Sequence, residues 1–225
     1  MDQNKMYSLL VDDRQACRLC AGLVNPSAVD NGVHDAAEVG PWTTWQGNLK
    51  AKVLLVGQDY SDVAYFVRNG GREQSDNPTD IALVTLFKSI GIAITPPGQR
   101  NGRGEVFFTN AILCLKEGGM QATVRHQWFR NCSPFLRRQV EIVNPRIVIA
   151  LGARAFQAIS LAFSIPGRPL GAAVRDATGI PLPNGSKLFA VYHCGRRAQN
   201  TVRTLDEQID DWNRIVPALS VQPGT

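Results

Sequence analysis

The sequence predicts an α/β fold: a three-layer sandwich with a central four-stranded parallel sheet flanked by helices. Three observations carry this. Four short runs rich in β-branched and aromatic residues are apolar almost without interruption, as strands covered on both faces of a parallel sheet must be. Stretches of helical spacing lie between them, and that alternation belongs to α/β folds with right-handed crossovers. At 225 residues and 44% hydrophobic content, the chain has the apolar material for a sizeable core.

In chain order, residues 1–50 read as an irregular N-terminal layer. VLLVG (53–57) is the first strand. Asn77, Pro78, Thr79 and Asp80 read as a cap, a proline in the first turn and an early acid, opening a helix to about Ile90. A Pro/Gly-rich loop, 95–104, leads to the second strand, VFFTNAIL (106–113). Helical spacing over 132–143 precedes the third strand, RIVIALG (146–152), and resumes after it over 154–163. A second Pro/Gly-rich loop, 164–186, leads to the fourth strand, KLFAVYH (187–193). The last helix, 204–216, places Leu205, Ile209, Trp212 and Ile215 or Val216 on one face. No repeat or low-complexity segment divides the chain, which reads as one domain over 1–225 with a flexible tail at 217–225.

The polar start, MDQNK, is not a secretory leader, and no apolar run nears the ~20 residues that cross a bilayer. With a mean hydropathy of −0.12, the sequence predicts a soluble, cytoplasmic, bacterial-type protein. The net charge of +5 is unevenly placed. Residues 1–100 carry nine basic against eleven acidic side chains, and residues 101–225 carry fifteen against eight. Arginine supplies 18 of the 24 cations, and its planar fork grips phosphate and stacks on bases, which suits a nucleic-acid partner. Solubility alone is the competing explanation.

Five cysteines are an odd number for a disulfide framework. Cys17 and Cys20 form a C-x-x-C unit that turns two thiolates toward one metal. Cys114, just past a strand, and Cys132, at the start of a predicted helix, could complete a four-sulfur site. Zinc and an iron–sulfur cluster are both open on this spacing, and four unrelated buried thiols are the plain alternative.

Ligands of open α/β sheets gather at the carboxyl ends of the strands. There the sequence places GQDYSD (57–62), Asn110, LGARAF (151–156) and HCGRRAQN (193–200). Taken singly, Asp59 reads as a helix cap, Asn110 as a core amide and His193 as a core imidazole. An acid, an amide and an imidazole at three strand ends, accompanied by four ordered cysteines, form a rarer combination.

From about Cys17 to Trp212 the chain resembles the uracil-DNA glycosylase superfamily, most closely its iron–sulfur branch, family 4 and its relatives. GQDYSD looks intermediate between the GQDPY of family 1 and the GEAPG of the iron–sulfur branch. FFTNAILC (107–114) resembles the strand with the base-reading Asn and a cluster Cys. CSPFLRRQVEIVNPRIVIALGARAF (132–156) is similar to the segment with the last ligand, the third strand and a DNA-backbone loop. YHCGRRAQN (192–200) stands where the second motif, usually HPS-like, is found.

The resemblance implies a 4Fe–4S cluster held by Cys17, Cys20, Cys114 and Cys132, with Cys194 not a ligand. It implies that Asp59 orients water, that Gly57 and Gln58 lie against the base with Gln58 giving main-chain hydrogen bonds, and that Asn110 reads the uracil edge. His193 would donate to uracil O2. The motif proline is missing beside Tyr60, and the stretch that usually brings the aromatic stacker reads GGREQSDN (70–77), so Tyr60, Tyr65 and Phe66 are the candidates for stacking. Arg196 and Arg197 stand where family 1 inserts a leucine and are expected to engage DNA. The implied activity is monofunctional excision of uracil from single- or double-stranded DNA in base-excision repair, by a nucleoid-associated monomer. A related base, or a non-catalytic DNA-binding role, is the alternative. None of these candidate residues is a lysine, so hydrolysis without a Schiff base is expected.

Overall fold

The computed structural model describes residues 2–29, 47–70, 76–96, 104–119 and 122–220. The chain opens with α1 (Gln3–Ala16), the short strand β1 (Leu23–Val24) and one helical turn, α2 (Pro26–Val29). The first core strand, β2 (Val53–Gly57), continues through α3 (Val63–Arg68) and α4 (Pro78–Ser89) to β3 (Val106–Asn110). After β4 (Leu115–Lys116) come α5 (His126–Val143), β5 (Ile147–Leu151), α6 (Ala153–Ala162) and α7 (Leu170–Val174). The rest comprises β6 (Ile180–Pro181), β7 (Lys187–Val191), α8 (Arg196–Thr201), α9 (Leu205–Asn213) and α10 (Val216–Ser220).

The central sheet runs in the order β3-β2-β5-β7-β6. Its first four strands are the predicted ones and all are parallel, with Gly57 opposite Asn110 and Val56 opposite Ala150. A fifth strand, two residues long, is added antiparallel beside β7, where Pro181 suits an edge position. Because side chains alternate along a strand, the sheet has two buried faces. Leu54, Val56, Phe107, Val148, Ala150 and Leu188 pack under α5, α6 and α7. Val53, Leu55, Val106, Ile147, Ile149 and Val191 pack under α4, α9 and α10. On that second face Trp212 is fully buried and meets the Phe87 ring edge-on at 4.9 Å. Aromatic pairs in that geometry add about 0.5–1.5 kcal/mol beyond their buried area.

Two helices depart from the sequence expectation at identifiable residues. The helix expected over 132–143 begins at His126, so Cys132 lies in its second turn instead of opening it. Pro134 therefore sits inside the helix and cannot donate to the Arg130 carbonyl; the Ser133 hydroxyl donates there at 3.0 Å instead. The final helix breaks after Asn213 and restarts at Val216, because Pro217 has no N–H and fits only a first turn. Val216, Ala218 and Leu219 pack on the core, so the start of the expected tail is helical; 221–225 lie outside the described residues.

The N-terminal layer is more regular than expected. The 14-residue α1 docks along α5, with Gln3 donating to the Ile142 carbonyl at 2.8 Å and Arg138 paired to Asp13. Leu10, Val11, Tyr60, Phe66, Leu113 and Leu115 form a third apolar cluster there. Among the described residues, no helix is long and apolar enough to cross a membrane.

Candidate active site

The carboxyl ends of the four parallel strands open into one cavity of about 990 Å³. Gly57 lines it from the end of β2, Gln58, Asp59 and Tyr60 from the loop that follows, Asn110 from the end of β3, Leu151 from the end of β5, His193 from the loop after β7, and Arg196 and Arg197 from the start of α8. A smaller hollow of about 490 Å³, lined by Phe156, Leu161 and Pro166 among others, holds none of these groups.

Asp59 is held by three donors. Ser61 N–H and the Lys116 ammonium reach Oδ1, each at 3.0 Å, and Gln58 Nε2 reaches Oδ2 at 2.7 Å. Ser61 has φ of +80°, a left-handed conformation that a non-glycine residue rarely adopts, and it sits where the turn aims its N–H back at the carboxylate. The helix cap is the neighbouring acid: Asp62 Oδ1 accepts from Tyr65 N–H at 2.9 Å and opens α3. Asp59 is thereby left to the cavity.

Asn110 lies directly over Gly57. A Cβ on Gly57 would fall 2.0 Å from Asn110 Oδ1, so this glycine is the floor on which the amide rests. The Gln58 carbonyl accepts from Ile112 N–H at 3.0 Å, which ties the turn after β2 to the chain leaving β3. Tyr60 is buried with its hydroxyl 3.4 Å from Thr109 Oγ1.

The His193 ring faces the open cavity, yet surrounding protein lowers its pKa through burial, with the nearby Asp59 charge pulling weakly upward. Gly195 N–H donates to Nδ1 at 3.0 Å. A neutral imidazole that accepts at Nδ1 carries its proton on Nε2, so the ring is a hydrogen-bond donor. Any side chain at Gly195 would press on that ring, within 2.9 Å of its Cε1. Cys194 is buried on the α4 side of the sheet, 3.4 Å from the Thr79 carbonyl, and anchors the loop.

The sequence profile of the "Uracil DNA glycosylase superfamily" matches residues 44–216. The chain belongs to the uracil-DNA glycosylase superfamily. Three relatives sharpen its place there. It is 29% identical to a type-5 uracil-DNA glycosylase of Pyrobaculum aerophilum over 76% of this chain and 71% of that one. It is 26% identical to a type-5 enzyme of Thermus thermophilus over 85% and 88%, and 24% identical to a type-4 enzyme of Thermotoga maritima over 66% and 67%.

Two expectations about this glycosylase-family site need correcting. Phe66 does not line the cavity: it is 2% exposed in the apolar cluster under α1, and its neighbour Tyr65 faces the cavity instead. A lysine does stand in the site. Lys116, 4% exposed, lines the cavity beside Asp59, a position that no recognisable motif marked. Its ammonium is engaged in an ion pair, so its presence does not by itself make it a nucleophile.

Cys17 and Cys20 follow α1, Cys114 precedes β4 and Cys132 lies in α5; Cys132, Cys17 and Cys20 all act electrostatically on Cys114, and the profile match covers Cys114 and Cys132. Burial, helped by Cys132, Cys17 and Cys20 and opposed by Arg14, raises the Cys114 pKa to about 12. Burial likewise raises Cys132 to about 12, opposed by a backbone hydrogen bond at Leu113 and reinforced by Cys20 and Cys17. Burial and mutual repulsion keep Cys114 and Cys132 as neutral thiols; a shared cation would stabilise the ionised form, so these residue types would suit a metal group. Asn131 donates to Cys20 Sγ at 3.2 Å and to the Leu19 carbonyl at 3.1 Å, fixing the C-x-x-C turn. Among the described residues, no three potential ligands are gathered about a single-ion position.

Proposed function

We propose that this chain hydrolyses the N-glycosidic bond of uracil in DNA and leaves an abasic site, the first step of base-excision repair. The observation that carries the reading is the meeting of Asp59, Asn110 and His193 in one cavity at the strand ends. Cleavage develops positive charge on the sugar and negative charge on the departing base. The Asp59 carboxylate stabilises the first and orients water. The neutral His193, with Nε2–H as donor, serves the second at uracil O2.

Asn110 offers an amide donor to O4 and an acceptor to N3–H. Cytosine presents the reverse pattern and would leave buried polar groups mispaired, which is a strong basis for rejection. The base must leave the stack to reach this depth, at a cost of a few kcal/mol. Arg196 and Arg197 line the cavity and would grip the strand, one of them entering the gap left behind. Tyr60 and Tyr65, which line the cavity with Phe108, are the candidates to hold the base.

Cys17, Cys20, Cys114 and Cys132 are the residues that would hold a 4Fe–4S cluster, which would clip the N-terminal layer to β4 and α5. Protein purified without oxygen is expected to be brown and to carry about four irons per chain. Colourless, active protein with one zinc would overturn the cluster.

The activity is tested by single-turnover excision from a single-stranded oligonucleotide with one uracil, followed by alkaline cleavage. Parallel oligonucleotides carrying hypoxanthine, xanthine or a 5-substituted uracil decide the base. Absence of abasic sites on every lesion would leave a DNA-binding protein without catalysis.

A further inference from the structure

We infer that Lys116 is a positioning residue that fixes the Asp59 carboxylate and thereby selects where the attacking water binds. The inference rests on the hydrolytic role proposed for Asp59. Lys116 and Asp59 are both nearly buried, with side chains 6% and 8% exposed, and their charged atoms are 3.0 Å apart. A carboxylate so enclosed needs a counter-charge, and Lys116 supplies it.

An ionised carboxylate has about four lone-pair positions. Ser61 N–H and Lys116 occupy both on Oδ1, and Gln58 Nε2 occupies one on Oδ2. One acceptor position is left, on Oδ2. Water that hydrogen-bonds to Asp59 is therefore confined to a single approach. Without Lys116, a position on Oδ1 opens as well, and water divides between two geometries.

Lys116 is itself firmly mounted. Its main-chain N–H donates to the Ser61 carbonyl at 3.0 Å, and β4 pairs with β1, Leu23 opposite Lys116. Side chain and main chain thus hold the same turn from two directions. Cys114 lies two residues before Lys116, so the thiol site and the carboxylate share one short support.

The test compares Lys116→Met, Lys116→Arg, Asp59→Asn and the double variant Asp59→Asn/Lys116→Met. Lys116→Met is expected to slow single-turnover excision of uracil about 100-fold, the usual effect of misplacing a reacting group by an ångström, with KM near wild type. Lys116→Arg should recover most of the rate. The double variant should be no slower than Asp59→Asn, because Lys116 acts through Asp59. Unchanged rate in Lys116→Met, raised KM with unchanged kcat, or multiplied losses in the double variant would each overturn the inference. So would borohydride trapping of Lys116 on abasic DNA, which would make it a reacting group. A readout without substrate separates the two proposals: the Ser61 amide proton resonance should move in Lys116→Met and stay in Lys116→Arg. Wild-type protein without glycosylase activity would sink the proposed function, while this resonance would still decide the hold on Asp59.

Discussion

The loop after β2 holds its carboxylate with three donors, whereas the loop after β7 holds its imidazole with one. The first loop is nearly enclosed: Tyr60 and Asp62 are buried, Ser61 is strained, and Lys116 braces the turn from β4. The second stands open, with His193, Arg196 and Arg197 exposed and Gly195 keeping the chain close to the ring. Each design suits the task proposed for it. A charge that must meet a transient cation gains from a fixed, water-poor setting. Groups that receive a long, bent polyanion must stay reachable from solvent.

If that division holds, damage in the first loop should fall on the chemical step. Asp59→Asn keeps the shape and removes the charge, and about a 100- to 1,000-fold loss of single-turnover rate is expected, near the ~2.7–4 kcal/mol of a lost transition-state contact. Binding to uracil-containing DNA should survive, measured by fluorescence anisotropy. Wild-type rates would return Asp59 to a structural role, although the capping role belongs to Asp62.

The next effect tests the floor under the base. A methyl at Gly57 would meet Asn110 Oδ1 at 2.0 Å, so Gly57→Ala should displace the amide and slow uracil excision about 100-fold. Asn110→Ala should do much the same. Asn110→Asp should also gain a small cytosine activity, because a carboxylate accepts from cytosine N4 where the amide donates. Near wild-type uracil excision in both Gly57→Ala and Asn110→Ala would mean that the base lies elsewhere.

The four core strands were legible because apolar runs covered on both faces leave a dense local signal, and the strand ends then located Asp59, Asn110 and His193. Lys116 was not legible. Two residues past Cys114, in CLKEGG, a lysine looks like any surface charge, and only the return of β4 to the first loop buries it. Phe66 misled for the complementary reason: near the motif, an aromatic residue looks available, but the helix capped by Asp62 turns it under α1 and turns Tyr65 to the cavity. Local sequence reports spacing; it does not report which side of a six-residue helix meets a distant layer.

Damage to the second loop should fall on DNA. Replacing Arg196 and Arg197 together by alanine should weaken duplex binding and reduce the slope of log affinity against log salt by about 0.9 if one of them meets a phosphate and about 1.8 if both do. Excision from saturating single-stranded substrate should change far less. An unchanged slope with unchanged duplex excision would make both arginines ordinary surface residues, and the contrast between the loops would lose its DNA side.

The smallest effect concerns protons on His193. Its pKa lies below the ordinary 6.5, chiefly because burial disfavours the charged ring. The Gly195 N–H bond to Nδ1 requires the neutral form as well. In the unfolded chain the ring takes its proton near 6.5, and in the folded protein only at lower pH. The stability tied to the neutral ring is therefore fully present above 6.5 and is lost as pH falls from there toward the folded value. Activity follows the folded value alone. A histidine with an ordinary pKa would be half protonated at pH 6.5, so a rate that depended on its neutral form would have halved there. Here the single-turnover rate at pH 6.5 should stay above half its value at pH 7.5, and the midpoint of the decline assigned to His193 should lie below 6.5. NMR titration of the His193 ring, followed in parallel with the rate, separates this from protonation elsewhere in the cavity. A ring that titrates at or above 6.5 would mean that the second loop, without DNA, holds its imidazole too loosely to keep it neutral.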